Sequence, residues 1–272
     1  MSVSRVCAVP LPLVYGDHPD QVADLFLPAA GPPGPVPLVL FFHGGYWRAE
    51  HDRRHADGFA RALAEHSGCA VVSAEYRRVG GGGGWPATFT DTAAAVDLLP
   101  GLAAEAAPGR VDPDRPVHAG HSAGGHLALW AALRHRLPAG APGRTTAPAA
   151  IRGTLALAPT ADLAWAGALG SGRGAVTALL GGGPDEVPDR YAAADPAALG
   201  VPAGRTVVVH GARDDSLPVA MARRYAARSG ATLHELPDCD HFDVIDPDSA
   251  AWPAVTGALA AILAGDRALA GR

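Results

Sequence analysis

Short, uninterrupted apolar runs alternate with longer stretches of helical spacing along most of the chain. Residues 38–42, Leu-Val-Leu-Phe-Phe, contain no polar position at all, the pattern of a strand buried on both faces of a parallel sheet. His43-Gly-Gly45 breaks this run. The same rhythm predicts strands at 70–74, 117–120, 154–158, 206–210 and 232–236, and helices at 57–64, 90–99, 123–133, 219–228 and 254–263. Pro100 is expected to stop the second of these helices. Before them lies a polar, proline-bearing opening, then an outer strand at 21–27 and a Pro/Gly connector at 28–37. Strands alternating with helices predict an α/β fold with a mainly parallel central sheet covered by helices on both faces. No linker separates two cores and no fixed-period repeat is present, so residues 1–272 are expected to form one domain.

Three stretches depart from the rhythm: the glycines at 80–84, the Ala/Pro/Gly segment 138–148, and 161–190. The last holds a short helical pattern at 175–180 and falls between two strands, where a cap over a pocket would attach. Composition narrows the picture further. A net charge of −5, with every basic residue an arginine and no basic stripe, excludes a nucleic-acid partner. The strongest apolar run is far too short to span a bilayer, so a soluble cytoplasmic protein without a membrane partner is expected. Cys7, Cys69 and Cys239 are odd in number and lack C-x-x-C spacing, which fits reduced thiols better than disulfides or a zinc site. Oligomeric state leaves no trace in the pattern.

Chemistry enters at Gly120-His-Ser-Ala-Gly124. G-x-S-x-G marks a sharp strand-to-helix turn whose small neighbours let a serine hydroxyl project above a sheet. In a chain with 34 glycines the five residues alone are only moderately specific, but a predicted strand enters this motif and a predicted helix leaves it. Ser122 is therefore the candidate nucleophile. A serine needs a base, and the base needs an acid to hold its tautomer; in this arrangement they follow in the order Ser, Asp or Glu, His. The turn after 206–209 offers Asp214, with its neighbour Asp215 as the rival. The turn Pro237-Asp-Cys-Asp-His-Phe242 offers His241. Of the other histidines, His51, His55 and His66 read as solvated positions, His121 and His126 as shaping the pocket, and His210 as support for the acid turn. Backbone donors for a developing oxyanion are expected from Ala123, after the nucleophile, and from Gly44 and Gly45 after the buried strand.

Phe42-His-Gly-Gly-Tyr-Trp47, the elbow Gly120-His-Ser-Ala-Gly-Gly-His-Leu127 and Asp240-His-Phe-Asp243 together resemble the kynurenine formamidases (arylformamidases) of the α/β-hydrolase superfamily, over about residues 36–263. The elbow and the acid turn are common to many esterases, lipases and peptidases, and the Tyr-Trp pair is the narrower sign. The resemblance implies an α/β-hydrolase fold, a Ser122–Asp214–His241 triad, an oxyanion hole at Gly44, Gly45 and Ala123, and hydrolysis of a small molecule without cofactor or metal. It points to an N-formyl aromatic amine such as N-formylkynurenine, with a carboxylesterase acting on small acyl esters as the alternative. Tyr46, Trp47 and Trp85 would border the aromatic substrate, although packing beneath the loop is the other reading of Tyr46 and Trp47. Gly125, where many formamidases carry alanine, and the glycines at 80–84 suggest a pocket edge of its own.

Overall fold

A computed structural model describes residues 9–29 and 33–270; Cys7 lies outside them. Eight strands form one sheet: β1 (Leu11–Val14), β2 (Val22–Phe26), β3 (Val36–Phe42), β4 (Ala70–Ala74), β5 (Val111–His121), β6 (Gly153–Leu157), β7 (Arg205–Gly211) and β8 (Thr232–Leu236). Their order is β1-β2-β4-β3-β5-β6-β7-β8. The pairs β1–β2 and β2–β4 are antiparallel and the remaining pairs parallel. The helices are α1 (Asp57–Ser67), α2 (Ala87–Ala106), α3 (Ala123–Ala132), α4 (Leu163–Ala168), α5 (Ala175–Leu180), α6 (Pro188–Ala194), α7 (Pro196–Leu199), α8 (Val219–Ser229) and α9 (Trp252–Ala270).

The continuous apolar run of β3 is explained by what covers it. Successive side chains of a strand point to opposite faces. Leu38, Leu40 and Phe42 pack with Phe89 and Leu99 of α2 and Leu127 and Trp130 of α3. Val39 and Phe41 pack with Phe59 and Leu63 of α1 and Val255 and Leu259 of α9. Both faces are dry, so neither admits a polar residue. Because β3, β5, β7 and β8 run parallel, their carboxyl ends share one edge of the sheet, where ligand sites form in open α/β sheets. The register makes the alignment close: Phe42 pairs with Gly120 and Gly211 with Leu236. Four loops, beginning at His43, Ser122, Ala212 and Pro237, therefore leave the sheet on the same side.

Pro100 does not end its helix. Helix α2 continues through it to Ala106, although proline removes one backbone hydrogen bond and costs about 3 kcal/mol in a helix interior. The buried stripe Ala95, Leu99 and Ala103 runs across the proline, and burial of that stripe offsets the loss. The glycine run 80–84 forms turns between β4 and α2, with the Gly81 and Gly83 amides donating to the Arg78 carbonyl. Cys69 and Cys239 are free and buried. Among the described residues, no helix is long and apolar enough to cross a membrane.

Candidate active site

Ser122 occupies the turn between β5 and α3 with φ 53° and ψ −117°, a strained conformation for a residue with a side chain. The surroundings hold it there. Its amide donates to the Leu157 carbonyl at 2.9 Å, and its own carbonyl accepts from the amides of His126 and Thr160. The flanking glycines are dictated by close backbone approach: a Cβ on Gly120 would lie 2.2 Å from the Gly124 oxygen, and one on Gly124 would lie 2.0 Å from the Phe42 oxygen. Backbone cannot give way as a flexible side chain can. Gly124→Ala is accordingly expected to destabilise the fold by about 1–3 kcal/mol or more, read as a lower urea midpoint; an unchanged midpoint would show that α3 is not pressed against β3.

The acid and base meet at the neighbouring strand ends. Asp214 Oδ1 accepts the amides of Ser216 at 2.9 Å and Leu217 at 2.7 Å. Asp214 Oδ2 lies 2.6 Å from His241 Nδ1 and 3.0 Å from His210 Nε2. Burial raises the Asp214 carboxyl, but the bonds from His210 and His241 more than reverse this and hold it below the usual carboxylate range. Asp215 is exposed and makes no contact of this kind. His241 is itself 4% exposed. With the carboxylate accepting at Nδ1, that nitrogen carries the proton and Nε2 keeps its lone pair.

His121, the residue before Ser122, joins the base to the elbow. Its Nε2 donates to the His241 carbonyl at 2.9 Å, and the two rings lie 4.7 Å apart. Burial and the adjacent His241 push the His121 imidazole down to about 3, so it serves as a neutral donor. His121 thereby ties the His241 turn to the elbow; among the described residues, no hydrogen bond joins the Ser122 hydroxyl to the His241 ring. His126 does not shape a pocket. It is completely buried, bonded through Nε2 to the Ala194 carbonyl at 2.9 Å.

Gly44 lies directly against the elbow, since a Cβ there would be 3.2 Å from Ser122 Cβ. Among the described residues, the amides of Gly44, Gly45 and Ala123 have no acceptor in the protein. Trp47, expected at the substrate, is instead 2% exposed and belongs to the core. Its indole N–H donates to the Ala123 carbonyl at 3.2 Å, so it ties the loop to the elbow from beneath. A large aromatic body with one donor suits that place. Tyr46 is partly exposed and lines a cavity of about 490 Å³ with Leu169, Ser171, Asp215 and Ser216. Trp85 packs against Phe89, the rings tilted at 59° with centroids 5.1 Å apart, and lines a different cleft, with Pro138, Pro142 and Asp189. Phe89 belongs to α2 because that helix begins at Ala87, earlier than the 90–99 pattern suggests.

Two residues the sequence reading passed over hold this loop. Glu75 and Tyr76 follow β4 and are buried; Glu75 Oε1 meets His43 Nε2 at 2.7 Å, and the Tyr76 hydroxyl donates to the His43 carbonyl at 2.9 Å. A carboxylate directly after a fully buried strand was the available signal. Arg48 adds a third tie, donating to the carbonyls of Gly172 and Arg173 at 2.6 and 3.1 Å.

Comparison with known proteins agrees with this architecture. The BD-FAE family model matches residues 23–228. Esterase LipC of Mycobacterium tuberculosis (strain ATCC 25618 / H37Rv) is 30% identical over 262 residues, covering 86% of this chain and 60% of that protein. Kynurenine formamidase of Danio rerio is 36% identical over 62 residues, covering 23% of this chain and 20% of that protein. The chain thus spans less than two thirds of the length of either relative. Among solved structures, esterase B from Lactobacillus rhamnosis superposes with a TM-score of 0.78 at 20% identity, covering 98% of this chain and 91% of that chain. A truncated carbohydrate esterase from gut microbiota gives 0.75 at 18% identity, covering 94% and 98%. Such identities speak for the fold alone, and the fold is that of the α/β-hydrolases.

Proposed function

The chain belongs to the BD-FAE family, and from that premise and the geometry at Ser122 we propose that it is a serine hydrolase cleaving small acyl esters through an acyl-enzyme. The observation that carries this reading is the buried Asp214–His241 pair at 2.6 Å, seated through His121 beside a serine in a strained turn. The Ser122 hydroxyl attacks the acyl carbon as His241 Nε2 takes its proton; Asp214 stabilises the imidazolium that results. The amides of Gly44, Gly45 and Ala123 receive the negative charge that builds on the carbonyl oxygen. His241 then gives the proton to the departing alkoxide, and water, activated by the same base, releases the acid. In this reading residues 161–190 act as a cap of the single domain, and the cavity between Tyr46, Leu169, Ser171 and Ser216 takes the leaving group.

Hydrolysis of an N-formyl aromatic amine is the second reading. It is favoured by the match to kynurenine formamidase and by Tyr46 at the cavity, with the same machinery protonating a leaving nitrogen. Esters come first because LipC matches far more of the chain and because Trp47, half of the narrower formamidase sign, is occupied in holding the loop. The two are separated by kcat/KM for p-nitrophenyl acetate and butyrate against N-formylkynurenine. Efficient ester turnover with little formamide cleavage is expected, and a preference for the formamide would exchange the two readings.

A further inference from the structure

We propose that His43 is a buried imidazolium that aims and polarises the Gly45 oxyanion donor, a positioning role that rests on the esterase reading. The argument begins with where the ring nitrogens point. His43 Nδ1 lies 2.7 Å from the Gly44 carbonyl, which can only accept. His43 Nε2 lies 2.7 Å from Glu75 Oε1. That oxygen already accepts from the Tyr76 amide at 3.1 Å and faces the Arg78 guanidinium at 3.2 Å, so the proton of this contact resides on the histidine. Both nitrogens therefore carry hydrogen, and the ring is charged.

The surrounding charges agree. Among the described residues, the ion pairs reaching Glu75 join three carboxylates, Glu75, Asp20 and Asp24, to two guanidiniums, Arg53 and Arg78. A positive charge on His43 is favoured beside this group, chiefly because the Glu75 carboxylate it meets is buried. Tyr76 stacks on the His43 ring at 4.7 Å and presents its face to the cation. His55 stands edge-on at 5.4 Å, and burial together with the His43 charge lowers its imidazole. His121 meets the loop from the other side at Gly44 and is neutral.

The consequence for the site follows from the planar trans peptide, in which C=O and N–H point in opposite directions. His43 Nδ1 holds the Gly44 oxygen, so the Gly45 amide of the same peptide points away from the ring. The Tyr76 hydroxyl holds the His43 oxygen at 2.9 Å and directs the Gly44 amide in the same manner. A donor whose carbonyl is bonded to a cation is further polarised. The imidazolium thus strengthens the Gly45 amide where the oxyanion forms, and it does so without touching substrate.

The test reads charge and rate separately. In the full chain labelled with ¹⁵N-histidine, two-bond proton–nitrogen spectra at the pH of the assay are expected to show one ring, absent in His43→Gln and unaffected by Ser122→Ala, that carries a proton on both nitrogens. In Glu75→Gln that ring is expected to become neutral, and kcat for p-nitrophenyl acetate to fall about 10- to 100-fold, less than the loss of an oxyanion donor outright, with KM nearly unchanged. A neutral His43 in the unmodified protein overturns the proposal, whether or not Glu75→Gln folds. A folded Glu75→Gln with neutral His43 and undiminished kcat overturns the rate effect. Failure of a fluorophosphonate to label Ser122 would instead strike the esterase reading, and the ring's charge would still be measured.

Discussion

Ser122→Ala is expected to lower kcat for p-nitrophenyl esters by about five to six orders of magnitude and to abolish covalent labelling by a fluorophosphonate, while leaving the urea midpoint within about 0.5 kcal/mol of the parent. The asymmetry follows from the structure. The Ser122 hydroxyl has no hydrogen-bond partner among the described residues, so its removal orphans nothing. The bonds that hold the turn run through the main chain, to Leu157, His126 and Thr160, and survive in alanine. The strained φ of 53° is as adverse for alanine as for serine. What disappears is the hydroxyl that attacks in the proposed mechanism. Residual turnover should come from the amides of Gly44, Gly45 and Ala123, which continue to stabilise an oxyanion attacked by water. Retention of more than about a hundredth of the parent kcat would mean that another group does the chemistry, and this site would lose its role.

The contrast between what the pattern revealed and what it hid has a physical basis. Buried parallel strands were legible because two dry faces disfavour polar residues, as at 38–42, and 70–74 was placed to the residue; 232–236, an edge strand with Thr, His and Glu among its five residues, was placed as well. The strand Leu11–Val14 was not legible. It lies at the sheet edge with three of its four residues exposed, and Pro12 within it is tolerable only because an edge strand can spare an N–H. Helices α4, α6 and α7 have six, seven and four residues, too few turns to establish a period. Only their caps could have announced them, Asp162 ahead of α4 and Asp195-Pro196 at α7.

The candidate residues Ser122, Asp214 and His241 could be placed at the carboxyl edge of the sheet because each follows a recognisable strand. Asp214 could not be separated from Asp215 by spacing, since one residue of turn decides which carboxylate faces inward. The loop residues were misjudged for another reason. An aromatic side chain beside glycines reads equally well as a wall of a pocket or as a peg beneath a loop, and only packing shows that Trp47 is the peg. Glu75 and Tyr76 escaped because their partner, His43, lies 32 and 33 residues away in sequence.

Asp214→Asn is expected to reduce kcat by about 10⁴, with Asp215→Asn changing it only a few-fold. All four contacts of the Asp214 carboxylate are donors: two amides at Oδ1, from Ser216 and Leu217, and two imidazole nitrogens at Oδ2, from His241 and His210. Asparagine offers one acceptor oxygen and one donor amide. If the oxygen satisfies the two backbone amides, the NH₂ faces His241, which must then present a bare Nδ1 and carry its proton on Nε2. In that tautomer it has no lone pair for the Ser122 proton. Stability should respond with a definite sign. The Asp214 carboxyl is held below its ordinary value in the folded state, so its contribution is fully present above the unfolded value of about 3.9 and is lost as pH falls through the folded value. The asparagine variant has no such proton to bind. Its deficit in urea midpoint against the parent should therefore be larger at pH 6 than at pH 3, and a deficit independent of pH would mean that the carboxylate is not held by charge.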